Sequence, residues 1–142
     1  MSTAPQQDIK AISRRSTEEI WNQGNLASVD ELMDTDYVHH DPSVPQPVKG
    51  VEAFKQFVTM YRSAFPDLHF TVEDEIAEGD KVVTRWSSRG THQGDLQGIA
   101  ATGKQTNSSG IIISRVSGGK FVESWSYWDN LGLLRQLGAV AG

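Results

Sequence analysis

The final strand that the sequence predicts carries the residues most able to do chemistry. Five residues alternate along it and therefore face one side of a sheet: Phe121, Glu123, Trp125, Tyr127 and Asp129. Aromatic rings mixed with two carboxylates suit a pocket wall better than a dry core, because a buried carboxylate needs partners. An acid that is desolvated among aromatic rings has a raised pKa and can carry a proton between substrate atoms.

Asp129 has two interpretations. It stands where the strand ends and a last helix begins near Leu131, so it is well placed to cap that helix. A capping carboxylate can also point into a cavity, and a role as general acid/base therefore stays open. For Glu123 we expect a structural ion pair, with Arg85 of a neighbouring strand as its partner.

A second group of candidates lies in the run from Tyr37 to Pro42, which contains two adjacent histidines. Adjacent residues of an extended segment point to opposite sides, so only one of His39 and His40 can face a pocket. An imidazole there could act as a hydrogen-bonding group or as an acid/base near neutral pH. Because the two histidines point apart and no HExxH-like spacing occurs, we expect no metal site.

Two residues of an earlier strand complete the candidate set. His92 ends that strand near the open mouth of the sheet, where a solvated histidine is the simpler interpretation. Trp86 either fills the core or forms a pocket wall. The chain has no cysteine, no nucleophile elbow and no glycine-rich phosphate loop, which excludes thiolate chemistry and the phosphate-binding motifs.

Helices are predicted in the first half of the chain. Ile9, Ile12 and Ile20 share a helical face, and the segment 28–31 matches a capping box for a short helix. A stronger helix follows Gly50 and ends at Pro66. Its apolar stripe is spaced i, i+3, i+4, i+7 and i+11, and comprises Phe54, Phe57, Val58, Tyr61 and Phe65.

The second half of the chain changes to a period of two. Leu68, Phe70, Val72 and Ile76 alternate with polar residues, and three further strands are predicted over 81–92, 107–117 and 120–128. Helices followed by a meander of antiparallel strands predict an α+β fold. In such a fold a curved antiparallel sheet can wrap around the N-terminal helices and leave an internal pocket.

Length and charge narrow the class of protein. The chain has 142 residues, 13 Lys+Arg against 18 Asp+Glu, and a net charge of −5. This predicts a single domain over 1–142, with an ordered core at 8–138. The acidic balance argues against a nucleic-acid partner, which requires clustered basic residues. The apolar runs are too short to span a bilayer and no signal-peptide pattern is present, so we expect no membrane partner and a cytoplasmic location.

Short motifs follow one another in a specific order from about residue 12 to 138. They are Tyr37-Val38-His39-His40-Asp41-Pro42, Gly50-Val51-Glu52-Ala53-Phe54, Phe65-Pro66-Asp67-Leu68, Gly79-Asp80-Lys81-Val82-Val83, Gly90-Thr91-His92-Gln93-Gly94, Gly98-Ile99, Ala101-Thr102-Gly103-Lys104, Trp125-Ser126-Tyr127-Trp128-Asp129 and Gln136-Leu137-Gly138. In this order and spacing they resemble the SnoaL-like polyketide cyclase (ester cyclase) family. The resemblance implies the nuclear-transport-factor-two-like fold, a cone of curved sheet and helices.

The resemblance also implies an activity. Characterised cyclases of the family close the last ring of an aromatic polyketide by intramolecular aldol condensation, with no metal and no cofactor. An Asp near the end of the last strand is their general acid/base, and Asp129 is similar to it in position. His40 and His92 match positions that family members commonly carry. Those cyclases pair the Asp with a histidine of the adjacent strand, whereas no histidine occurs around Ser114-Arg115.

We therefore expect a cofactor-independent cyclase, lyase or isomerase that performs acid/base chemistry on a small hydrophobic carbonyl compound. Asp129 would move the proton, while His40 and His92 would orient or polarise the carbonyl. The substrate-binding wall would comprise Tyr37, Arg85, Trp86, Glu123, Trp125 and Tyr127. The alternatives are a non-catalytic ligand-binding domain and an epoxide-hydrolase-like enzyme that uses Arg85, Glu123 and Asp129.

A homodimer is expected through the sheet face opposite the pocket. Ile112, Val116, Val122 and Trp128 are apolar residues of strands that should be adjacent. A patch of that size on one small domain usually finds a partner.

Overall fold

The helices and strands are those of a computed structural model that describes residues 6–140. Helix α1 (Gln6–Arg15) continues into a π-helical segment (Ser16–Asn22), and is followed by α2 (Ala27–Leu32), α3 (Val51–Ala64) and, near the C-terminus, α4 (Asn130–Gln136). The strands are β1 (Met33–His40), β2 (Val48–Lys49), β3 (His69–Glu78), β4 (Lys81–Thr91), β5 (Gln105–Ser117) and β6 (Lys120–Trp128). Residues 1–5 and 141–142, at the two expected loose ends, lie outside the described residues.

The six strands form one sheet in the order β2-β1-β6-β5-β4-β3. The predicted α+β fold with a curved sheet is confirmed. One feature differs: β1 pairs with β6 in parallel, His39 opposite Ser124, so the sheet is mixed rather than antiparallel. Because this pairing joins segments far apart in sequence, local patterns left β1 unassigned and extended the second helix to Met33.

The core lies between the helices and the inner face of the sheet, the face on which they pack. The predicted stripe of α3 is confirmed: Phe54, Phe57, Val58, Tyr61 and the following Phe65 are at most 8% exposed. The expected capping box is wrong, since α2 begins at Ala27, which places Ser28 inside the helix, and the Ser28 hydroxyl bonds the Glu19 carboxylate.

Two β-bulges change which residues face the core. In β3 the register with β4 shifts between Val72 and Asp74, so Ile76 is 65% exposed instead of sharing the face of Val72. In β6 the register with β5 shifts beside Val122. Phe121 is buried, but beyond the bulge the even-numbered residues face inward. The shared face predicted for Phe121 and Glu123 is therefore wrong.

None of the helices in residues 6–140 has the length and apolar character required to cross a membrane.

Candidate functional site

A cavity lies between the helices and the inner face of the sheet, with an empty volume of about 960 Å³, its mouth included. One part of its lining is aromatic: Trp21, Phe57, Tyr61, Phe65, Phe70, Trp86, Phe121 and Trp128. Hydroxyl groups form much of the rest: Ser13, Ser16, Thr17, Thr84, Ser88, Thr106, Ser108, Ser114 and Ser126. Such a lining suits a flat apolar molecule that carries oxygen atoms at its edge.

Asp41 is the one carboxylate among the described residues that line this cavity. Its side chain is 6% exposed. Oδ1 accepts hydrogen bonds from the Ser43 amide at 2.9 Å and the Ser43 hydroxyl at 2.6 Å. The indole Nε1–H of Trp128 donates to both carboxylate oxygens, at 3.1 and 3.2 Å. The carboxylate is thus fixed in one orientation.

The pKa of Asp41 lies below its ordinary value. Desolvation by burial raises that pKa, but the nearby His39 ring and the two hydrogen bonds from Ser43 lower it by more. Asp41 is therefore ionised at neutral pH, although it is almost fully buried. A buried anion at the wall of a cavity can accept a proton or attract a developing positive charge.

His39 is the imidazole of the same site. Its Nε2 lies 3.5 Å from Asp41 Oδ2, and its Nδ1 lies 3.2 Å from the Tyr37 hydroxyl. The ring packs against Phe54 and Phe57, with centroid distances of 5.3 and 5.2 Å. Nε2 is buried and has no hydrogen-bond partner among the described residues, because 3.5 Å is too long for one.

Strand alternation explains why these residues meet. Tyr37 and His39 lie two residues apart on β1 and both face inward, at 1% and 3% exposure. The parallel pairing with β6 sets this face beside Ser124. After His40 the strand ends, and the Asp41 side chain bonds the amide of Ser43 two residues on, as aspartates do in turns. The turn keeps Asp41 on the side of the cavity.

Aromatic rings pack around Trp128, whose indole donates to the Asp41 carboxylate. The rings of Trp86 and Tyr61 lie 6.4 and 6.3 Å from that of Trp128, with interplanar angles of 54° and 77°. Burial raises the pKa of Tyr61, so its hydroxyl stays protonated and can donate a hydrogen bond. The sequence analysis had left Trp86 open between core and wall; it lines the cavity.

The structure brings a different set of predicted site residues together on the outer face of the sheet. His40 Nε2 lies 2.7 Å from Glu123 Oε2, and its ring stacks on Trp125 at 5.7 Å and 7°. Tyr127 is 64% exposed. None of these four lines the cavity. The mixture of aromatic rings and carboxylates predicted that this face of β6 forms the pocket wall, whereas the inner face carries Ser124 and Ser126.

Arg85 also lies outside the cavity. Its guanidinium donates to Asp74 at 3.0 and 3.2 Å, and not to Glu123 as expected. Glu123 instead faces Arg115 at 3.7 Å as well as His40. The expected ion pair between Arg85 and Glu123 is therefore wrong, because β5 lies between their strands.

Asp129 acts as the cap of α4 in this structure. Its Oδ1 accepts the Gly132 amide at 2.8 Å, and the side chain lies at a separate shallow depression with Ser87, Asn107 and Gln136. It does not line the main cavity. Strand alternation explains this, since Trp128 points inward and its neighbour does not.

His92 is buried completely, where a solvated residue was the simpler expectation. Its Nδ1 lies 3.0 Å from the Thr102 hydroxyl and accepts the Thr102 amide at 3.2 Å, and its ring packs on Phe65. It fastens the loop between β4 and β5 rather than lining the cavity.

Asp41 was not among the predicted site residues, and of the two adjacent histidines His39, not the predicted His40, lines the cavity. A signal was present, since Tyr37, His39 and Asp41 alternate and a bulky Tyr favours the inner face. Over residues 6–140, no group of three or more His, Cys, Asp or Glu side chains could hold a metal ion.

Comparison with known proteins identifies relatives of this chain. The model for "SnoaL-like polyketide cyclase" matches residues 11–137. Aklanonic acid methyl ester cyclase DnrD of Streptomyces peucetius is 32% identical over 126 residues, which cover 84% of each chain.

Solved structures with a similar fold cover almost the whole chain. TsrD from Streptomyces laurentii superposes with a TM-score of 0.86 at 29% identity, covering 97% of this chain and 100% of its own. AclR from Streptomyces galilaeus, a candidate hydroxylase, gives 0.85 at 27% identity, covering 97% and 85%. Since the family model spans almost the whole chain, the protein belongs to the SnoaL-like polyketide cyclase family.

Proposed function

We propose that this protein is an enzyme that performs acid/base chemistry, as an aldol-type cyclisation or isomerisation, on a small hydrophobic carbonyl compound bound in the cavity. The observation that carries the proposal is the position of Asp41. It is the one carboxylate among the described lining residues, and it lies 3.5 Å from an imidazole. The proposal gives Asp41 the role that the family resemblance suggested for Asp129, because Asp129 is bonded to a helix amide outside the cavity.

In this proposal Asp41 accepts a proton from a carbon next to a carbonyl group. The resulting enolate carbon attacks a second carbonyl of the same molecule, and the proton returns to the oxygen that becomes an alkoxide. Atoms and charge balance with one carboxylate and no further reactant. Holding both carbonyl groups in contact distance supplies much of the acceleration.

The low pKa of Asp41 limits the substrate. A carboxylate that is well solvated by hydrogen bonds is a weak base, so it can deprotonate only an acidic carbon. A carbon that lies between two electron-withdrawing groups, such as a ketone and an ester, meets this requirement. We therefore propose a 1,3-dicarbonyl compound or a similar doubly activated ester as substrate.

His39 and Tyr61 supply hydrogen-bond donors for the oxygen that gains charge. Both lie on the cavity wall, and neither Nε2 of His39 nor the aromatic face around it is open to bulk water. A donor in such a dry site stabilises an oxyanion more strongly than it would in water. The serine and threonine hydroxyls would bind the remaining oxygens of the substrate.

The names of two related proteins suggest which substrate to test first. Both are aklanonic acid methyl ester cyclases, at 32% and 31% identity. The first compound to test is therefore aklanonic acid methyl ester, followed by smaller aromatic β-keto esters. The hydrolase alternative receives no support from this cavity, because two acids around one water are needed and the described lining has one carboxylate.

The decisive experiment compares two aspartates. Asp41→Asn keeps the size of the side chain but cannot accept the proton, and we expect kcat to fall by about 100-fold or more. Asp129→Asn is the matched control and should retain turnover. Substrate affinity, measured by fluorescence of the cavity tryptophans, should change little in either variant.

Two outcomes would contradict the proposal. Wild-type turnover in Asp41→Asn would remove Asp41 from the chemistry. Tight binding of every compound in the series without conversion by the wild-type protein would favour a non-catalytic ligand-binding domain.

A further inference from the structure

The two ring nitrogens of His39 have different neighbours. Nδ1 lies 3.2 Å from the Tyr37 hydroxyl, and Nε2 faces Asp41 Oδ2 at 3.5 Å. A neutral imidazole carries its single proton on one nitrogen and a lone pair on the other. The neighbours therefore decide which nitrogen presents a proton to the cavity.

Of the two neighbours of the His39 ring, Asp41 can only accept a hydrogen bond. An ionised carboxylate accepts hydrogen bonds and donates none. A lone pair on Nε2 would face the negative oxygen and be repelled by it, whereas an N–H at Nε2 is attracted. Asp41 thus favours the proton on Nε2, which leaves the lone pair on Nδ1.

Tyr37 is the group that can satisfy that lone pair. Burial raises the pKa of Tyr37, so its hydroxyl keeps its proton and can donate it in a hydrogen bond. The Ser124 and Ser114 hydroxyls, 2.8 Å apart, belong to the neighbouring strands of the same inner face. The Tyr37 ring meets Phe54 edge to face at 5.0 Å, which fixes the position of the hydroxyl.

From these contacts we infer that Tyr37 is a positioning residue, which holds His39 as the tautomer with its proton on Nε2 and aims that N–H at Asp41 and the cavity. The Tyr37 hydroxyl then donates to Nδ1 of His39. Nε2 of the same ring is the nitrogen that would donate to a substrate oxygen. The assignment of the tautomer rests on these two contacts and on the ionised carboxylate of Asp41, while its effect on turnover rests on the proposed function.

Nitrogen NMR of the protein without substrate tests the tautomer directly. Long-range proton–nitrogen spectra of 15N-histidine-labelled protein, recorded at alkaline pH, distinguish a protonated ring nitrogen from an unprotonated one. For wild type we expect Nε2 of His39 protonated and Nδ1 unprotonated. In Tyr37→Phe the ratio of the two tautomers should move toward protonated Nδ1 by roughly 2- to 10-fold, the effect of one net hydrogen bond.

Tyr127→Phe is the matched control, because it removes a tyrosine hydroxyl from the outer face of the sheet. It should leave the His39 spectrum unchanged. Where a substrate is known, Tyr37→Phe should lower kcat by roughly 2- to 10-fold and leave KM close to wild type.

The inference fails if the neutral wild-type ring carries its proton on Nδ1, or if Tyr37→Phe gives the wild-type ring spectrum. Should Tyr37→Phe not fold, the wild-type spectrum decides the question of the tautomer by itself. Absence of turnover in wild type would contradict the proposed function and leave the tautomer measurement intact, so the two failures are distinguishable.

Discussion

Asp129→Ala measures how much the cap of the last helix contributes to stability. The Asp129 carboxylate accepts the Gly132 amide at 2.8 Å, and α4 has only seven residues, so the capped turn is a large part of the helix. Loss of such a cap costs about 1 kcal/mol. Over 142 residues, an unfolding entropy of about 2.1 cal/mol/K per residue converts this into a decrease in Tm of about 3 °C.

Asp129→Asn should behave differently. An amide oxygen caps about as well as a carboxylate, so we expect a Tm within about 1 °C of wild type. Thermal unfolding followed by circular dichroism compares the three proteins under one buffer condition. Turnover should survive in both variants, because the side chain lies outside the cavity.

Either of two results would refute this reasoning. An Asn variant as destabilised as the Ala variant would show that the hydrogen bond to Gly132 is not the source of the stability. An Asn variant with wild-type Tm and a turnover at least about 100-fold lower would show that Asp129 acts as an acid/base, as the family resemblance suggested.

Three further predictions concern the cavity and the outer face of the sheet. Because the pKa of Asp41 is lowered on folding, its ionisation stabilises the protein above the ordinary Asp pKa of about 4, and this contribution is lost as the pH falls through the folded value. The advantage of wild type over Asp41→Asn in urea unfolding should therefore be constant above about pH 5 and shrink as the pH falls below it, and a difference that stays constant at acidic pH would contradict this. Gly110→Ala should destabilise by about 1–3 kcal/mol, since an added Cβ would lie 2.5 Å from Trp128 Cβ and 2.6 Å from the Tyr127 carbonyl oxygen; urea denaturation with a loss below about 0.5 kcal/mol would show that the strand can move aside. We still expect a homodimer by light scattering, but through Ile111 and Tyr127, which are exposed neighbours on the outer face. Ile111→Lys should give monomers, and a monomeric wild type at micromolar concentration would end the prediction.

The expected dimer interface is still the outer face of the sheet, but the residues that form it differ from those predicted from the sequence. Three of the four residues first expected there face inward: Ile112 and Trp128 line the cavity, and Val116 is buried in the core. Val122 lies at the bulge of β6. The outward residues of the same strands are the odd-numbered ones, Ile111 and Tyr127 among them.

The helices could be predicted because their signal is local. The stripe of α3 repeats every three or four residues within one segment, so the sequence alone orients its buried face. Phe54 and Val58 are 1% and 0% exposed, as the spacing requires. The same holds for the order of the long strands, which follow one another along the chain.

The sheet face on which each strand residue lies could not be predicted in the same way, because it depends on how the strand pairs with its neighbours. One residue inserted at a bulge moves every later side chain to the other face, and the bulge in β6 exists only in relation to β5. The outward positions of Glu123, Trp125 and Tyr127 follow from that single shift. Likewise β1 forms through a parallel pairing with β6 that no nearby residue indicates.

Small hydroxyl residues on one strand face explain where the cavity lies. Ser124 and Ser126 on β6, and Ser114 opposite on β5, face inward at 1–7% exposure, where larger apolar residues would fill a solid core. Aromatic side chains occupy the outward positions of the same strand instead. A strand with small polar residues inside and bulky ones outside encloses an open space, and that pattern indicates the pocket side better than the distribution of aromatic rings. In β6 this pattern assigns the pocket to the face of Ser124, and the parallel pairing seen in the structure adds His39 of β1 to that face.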